Sequence, residues 1–258
     1  MNKSYIWSLP TRLFHWLFAG FILLAYITGD EDELLTYHAI VGYALFILLT
    51  FRVSWGYMGP TFSKFRDFPL SIANLKAFMK NILNPDQKYI GHNPAASYVM
   101  IAMFVVCFLT IATGVLAFGI QEGKGIFSFL NESFFKKMKL FKEIHEVLST
   151  LFIVLIVAHI GGVLSDKLLH PKHETLNSII TGYKVTKENN SIQLNMLQKG
   201  FALIMFFVFI AFLVFSFIEP KNILLASKYE PIDYKTQNEL FVSECASCHT
   251  LYPSQSFT

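Results

Sequence analysis

Five apolar runs punctuate the chain, at residues 13–27, 39–57, 95–118, 144–164 and 201–218. They approach or reach the roughly 20 residues that a helix needs to cross a bilayer. The third follows Asn93-Pro94, a pair suited to helix entry, and the fifth has no polar side chain heavier than Ser before Glu219-Pro220. Between them lie shorter amphipathic stretches. Phe68, Ile72, Leu75, Met79 and Ile82 share one helical stripe opposite Lys76 and Lys80. Phe127, Leu130, Phe134, Met138 and Phe141 share another, opposite Lys136, Lys137 and Lys139. Both read as helices lying in the membrane interface, and Leu176, Ile179, Ile180 and Tyr183 form a weaker third. The pattern predicts an all-α membrane protein. Residues 1–187 form a four-helix transmembrane bundle, 188–222 a linker and fifth transmembrane helix, and 223–258 a short tail.

Composition supports the pattern. The 258 residues are 53% hydrophobic and 15% charged, with 27 Phe and a net charge of +3. Mean hydropathy is +0.46. Such a chain is neither a disordered tail nor a nucleic-acid-binding module, and three cysteines are too few for a disulfide framework. With a cytoplasmic N-terminus, 13 of 21 Lys and Arg fall on the inner side, and the outer loop at Asp30-Glu31-Asp32-Glu33 has none. The five lysines of loop 119–143 oppose that vote. No small-x-small cleavage site follows the first run, so it reads as a retained helix.

Ionisable groups within spans are functional hypotheses, because burying them in lipid is costly. His15, His38, His145 and His159 sit in or at the ends of spans. His145 and His159 are 14 residues apart, which places them within about 40° on one helix face and roughly 21 Å apart along it. Alternating topology sets His15 level with His159 and His38 level with His145. Imidazole is a standard axial ligand of haem iron, so the expectation is two stacked bis-histidine b-type haems in the four-helix bundle. Each histidine taken alone also reads as a hydrogen-bonded structural residue. Arg12 and Arg52 lie at the inner haem's depth and suit either its propionates or simple anchoring at the membrane surface. His170 and His173 suggest a metal or a proton relay to quinone, with a solvated loop as the preferred reading. His92 reads as part of a helix entry and Cys107 as a small apolar filler.

These residues also carry a resemblance. Trp7-Ser8-Leu9-Pro10-Thr11-Arg12-Leu13-Phe14-His15-Trp16, His38-Ala39-Ile40-Val41-Gly42-Tyr43 and Phe51-Arg52-Val53-Ser54-Trp55-Gly56 resemble successive motifs of one family. Gly91-His92-Asn93-Pro94, Ile144-His145-Glu146, Ala158-His159-Ile160-Gly161-Gly162-Val163 and Ile180-Thr181-Gly182-Tyr183-Lys184 continue the series. Together, over residues 5–187, they resemble the bacterial di-haem cytochromes b, the cytochrome b561-like group that includes the membrane subunits of nickel–iron hydrogenases. The resemblance implies electron transfer between the quinone pool and a partner, with haem on those four histidines.

Cys245-Ala246-Ser247-Cys248-His249 matches the C-x-x-C-H signature of a covalent c-type haem, with His249 as proximal ligand. A zinc site or a redox dithiol is the alternative reading. An odd number of spans from an inner N-terminus would place this motif in the periplasm, where such haems are attached. Only nine residues follow His249, with no Met or His among them. A longer natural chain or a partner would then complete the pocket, these being preferred to an iron with an open position. The resulting expectation is a cytochrome of the bacterial inner membrane with two haems b and one haem c, linking quinone to a periplasmic redox protein or hydrogenase-like subunit. The rival class is a non-redox transporter or assembly anchor.

Overall fold

Three of the five long helices start at a capping side chain just before the apolar run. In the computed structural model, which describes residues 2–84, 89–131, 134–170, 174–186 and 189–229, the first run becomes α1 (Leu9–Thr28). Ser8 caps it by accepting from the Thr11 N–H, and Pro10 occupies a first-turn position that needs no N–H. After a 3₁₀ turn comes α2 (Leu35–Met58), followed by the short α3 (Ile72–Lys80) and then α4 (Pro94–Ile120). Asn93 caps α4, its Oδ1 accepting from the Ala96 N–H at 2.8 Å. Next are α5 (Phe134–Met138), the 30-residue α6 (Leu140–Leu169) and α7 (Thr175–Thr181). The last helix, α8 (Met196–Ile218), opens on a reciprocal capping box of Asn195 and Gln198. The helices α1, α2, α4, α6 and α8 are long and apolar enough to cross a membrane, and they contain the five predicted runs.

The hub of the packing is α2. It lies against α1, α4 and α8, and α4 in turn runs along α6. Phe14 and Phe18 of α1, Leu45, Leu48, Phe51 and Trp55 of α2, Ile111 of α4, Phe152 of α6 and Phe209 of α8 share one core. Cys107 fills part of it at 2% exposure. Lipid tails are as apolar as these side chains, so close van der Waals fit holds the helices together rather than escape from water.

Each end of the bundle is closed by a long-range link. At the N-terminal end, β1 (Asn2–Tyr5) pairs antiparallel with β2 (Tyr183–Thr186), in register Lys3↔Val185 and Tyr5↔Tyr183. The Ile6 and Trp7 N–H groups both donate to the Gly182 carbonyl. Gly182 has φ +90°, and a Cβ there would come within 2.6 Å of the Tyr5 ring. At the opposite end, the chain leaving α8 lies against the α4–α6 loop. Gly125 N–H donates to Ala226 O, Lys228 N–H donates to Gly123 O, and the Tyr229 hydroxyl donates to Asn131 Oδ1.

The amphipathic helix expected from Phe127 to Phe141 is instead three pieces, a 3₁₀ turn at Ser128–Leu130, then α5, then the start of α6. Asn131, 2% exposed, turns inward and donates from Nδ2 to Ile120 O at 2.8 Å. A side chain that bonds nearby backbone in this way competes with helix continuation. Lys139, left-handed at φ 50°, makes the second break. The tail from residue 230, with Cys245, Cys248 and His249, and also His173, lie outside the described residues.

Candidate functional site

Two pairs of histidines face each other across the bundle. His15 of α1 meets His159 of α6 with ring centroids 6.5 Å apart, and His38 of α2 meets His145 of α6 at 6.1 Å. These are the two pairings that the 14-residue spacing predicts. Two metal–imidazole bonds of about 2 Å, with half a ring on either side, place centroids roughly 6 Å apart. Each pair therefore has room for one metal between its rings. Packing around the pairs leaves space as well, because α6 packs extensively along α4 but not comparably on α1 or α2.

Backbone carbonyls orient the second pair. His38 Nδ1 lies 3.0 Å from Ala25 O, and His145 Nδ1 lies 2.8 Å from Thr110 O. An Nδ1–H donated to a carbonyl leaves Nε2 with its lone pair, the arrangement a metal-ligating histidine needs. In the first pair the buried Nδ1 of His15 has no partner among the described residues. Space next to the histidines is set by glycine. A Cβ at Gly114 would come within 2.8 Å of His145 Cε1, whereas a Cβ at Gly42, Gly161 or Gly162 would meet nothing within 4 Å.

Around the His15–His159 pair the N-terminal end is lined by cations. Arg52 is 4% exposed, and its guanidinium stands over Phe65 and Phe104 at 5.2 Å and Phe68 at 5.9 Å. Nη1 donates to Ser63 O at 3.3 Å, leaving most of its five donors without a protein acceptor. Arg12 Nη1 donates to Ile180 O at 2.6 Å, and its buried Nε has no partner. Among the described residues neither arginine has a carboxylate within ion-pair range. His92 lies between Trp7 at 4.9 Å and Phe68 at 4.7 Å. Burial, then the charges of Arg52 and Lys184, push its pKa down to about 3, so it stays neutral. Lys184, 5% exposed, donates to Tyr89 O and Ile90 O.

The donor set fits a haem better than a bare ion. Two imidazoles complete a porphyrin iron, which brings its own four nitrogens. Among the described residues no group of three or more His, Cys, Asp or Glu could hold a metal ion by itself. The unpaired guanidinium donors suit the two carboxylates that a b-type haem carries.

Sequence reasoning missed three contributors. Gly114 follows Thr110 by one turn, a small-xxx-small step of the kind that lets membrane helices approach closely. His92 and Lys184 belong to motifs noted in the sequence but gain their place only through tertiary contacts. His170 departs from the solvated-loop expectation. It is 3% exposed, with Nε2 donating to Asn84 O at 3.1 Å and Nδ1 3.3 Å from Asp166, because it ends α6 beneath the α3–α4 connection.

The family model described as prokaryotic cytochrome b561 matches residues 6–182. A protein of Azotobacter vinelandii named "Probable Ni/Fe-hydrogenase B-type cytochrome subunit" is 24% identical over 72% of this chain and 90% of its own length. A protein of the same name from Cupriavidus necator is 24% identical over 73% of this chain and 89% of its own. No solved structure gives a significant match.

Proposed function

The chain belongs to the prokaryotic cytochrome b561 family of membrane electron-transfer haem proteins, and from that premise we propose that it carries electrons between the quinone pool and a periplasmic redox partner through two haems b and one haem c. The observation that carries this reading is the facing of His15 with His159 and of His38 with His145 at the separation a shared metal requires. The relatives' description makes a hydrogenase-like subunit the first partner to consider.

In this reading the chain's own groups hold, orient and neutralise. Nε2 of His38 and of His145 is left for ligation by the Nδ1 contacts to Ala25 O and Thr110 O. Arg12 and Arg52 offer their unpaired donors to propionates at the N-terminal end, where burial strengthens the attraction. Apolar side chains of α4 and α6 flank both layers. Bound there, haem supplies one-electron redox chemistry, and the protein tunes it through ligands, burial and charge. The N-terminal end is cytoplasmic in this assignment. The fifth span then delivers the tail, with Cys245, Cys248 and His249 for a covalent haem, to the periplasm.

Pyridine haemochrome spectroscopy of the purified protein tests the reading. Two haems b and one haem c per chain are expected. A preparation with no b-haem band would favour a non-redox transporter or anchor.

A further inference from the structure

A cleft of about 390 Å³ runs between α1, α2 and α8, on the side of α1 away from α6. It begins at the N-terminal end of the bundle, at Leu9 on α1, Phe51 on α2 and Lys199 in the first turn of α8. It reaches Leu17, Ile47 and Phe209. Ten residues of helix from Lys199 to Phe209 cover about 15 Å, half the thickness of a bilayer's hydrocarbon core. Beyond that depth Phe21 closes on Phe209 at 5.3 Å and Tyr43 on Phe212 at 6.4 Å. The walls are apolar and rich in flat rings, and Lys199 is the one charged residue in the lining. Since α1 and α8 each pack on α2 more than on one another, the cleft opens sideways into the lipid.

Its position relates it to the histidine pairs. Pro10, Leu13, Phe14 and Leu17 line it, and the same turns of α1 carry His15 on another face. A ring held in the cleft is thus separated from the His15–His159 pair by one helix, roughly 10–12 Å across with its side chains. The volume lies within the range of small-molecule sites. It takes a substituted ring with the first units of a tail, and it is too small for a two-chain phospholipid. The cleft also depends on α8, which lies outside the 6–182 span that the family model matches.

We propose that this cleft binds the head ring of an isoprenoid quinone between its phenylalanines, with the Lys199 ammonium donating to a ring carbonyl and the tail leaving between α1 and α8. The proposal rests on the quinone-linked reading above and gives that reading a location.

The test uses the haem-loaded protein in detergent and a short-chain azidoquinone as photoaffinity probe. In the wild type, mass spectrometry should place the label on peptides spanning 9–17, 47–51 or 199–209, and solvent extraction should recover bound quinone. Ala202→Phe, which fills the cleft, should cut labelling at least tenfold while the b-haem spectrum is unchanged. Lys199→Met should weaken labelling roughly tenfold, as expected for loss of a hydrogen bond from a charged donor. Label confined to helices other than α1, α2 and α8 overturns the site, as does recovery of phospholipid alone or full labelling in Ala202→Phe. If quinol still reduces the haems in any of these cases, the quinone-linked function stands and only its location is wrong. Wild-type haems that quinol cannot reduce, with no label taken up, would instead remove the quinone reading itself.

Discussion

The imidazole of His145 rests against the bare backbone of Gly114, so close that one added methyl carbon would stand 2.8 Å from Cε1. The same ring is tethered through Nδ1 to Thr110 O, one turn earlier on α4. Through these two contacts α4 sets the angle of the His145 ring. Gly114→Ala should therefore push His145 off its carbonyl and weaken haem at the His38–His145 layer by about five- to a hundredfold, since overpacking costs about 1–3 kcal/mol. The other layer should be spared. Redox titration of the b-haem absorbance, resolved into two components, checks this.

Ligand pairing has its own signature. His15→Ala and His159→Ala should each abolish the same haem b component, and His38→Ala and His145→Ala the other. Spectra of the four purified variants in which the two members of a pair abolish different components would mean that the faces have been matched wrongly.

Arg52 is a buried cation with no carboxylate in range among the described residues, so its charge acts on whatever occupies the layer beside it. Arg52→Met should make that layer harder to reduce and lower its midpoint potential by tens of millivolts, the size expected for one charge roughly 10 Å away at intermediate dielectric. The potential of the His38–His145 layer should hardly move.

His92 gives a pH dependence with a definite sign. Its pKa is about 3 in the folded protein against an ordinary 6.5, so folding favours the neutral ring. Its contribution is complete above pH 6.5 and declines as pH falls toward 3, by up to about 1.4 kcal/mol for each pH unit. Thermal unfolding of wild type and His92→Gln should run parallel above pH 7. Below pH 6 the wild type should lose stability faster.

How far the sequence alone reaches is visible in particular residues. Hydropathy marks all five spanning helices, because a lipid core demands long unbroken apolar runs with every backbone group bonded inside the helix. The pairing of histidines follows from helical pitch and alternation of direction, both of which are local rules. What escapes is contact between remote segments. Ser4 and Thr186 touch across 182 positions of sequence, and nothing in a four-residue strand announces its partner. Asn131 breaks a well-patterned amphipathic stripe because two carbonyls at the end of α4 await it. His92 looks like a helix-entry residue until Trp7 and Phe68 arrive from opposite directions.

Asn131→Ala would leave the Ile120 carbonyl without its side-chain donor and the Tyr229 hydroxyl without its acceptor, at about 1–3 kcal/mol. Limited proteolysis should then cut within 219–229 several-fold faster than in the wild type, with the b-haem spectrum intact.

That seam on the α4–α6 loop acts as a mooring. Cys245 follows Tyr229 by 16 positions, so the seam fixes the end of the bundle from which the chain leaves toward that motif.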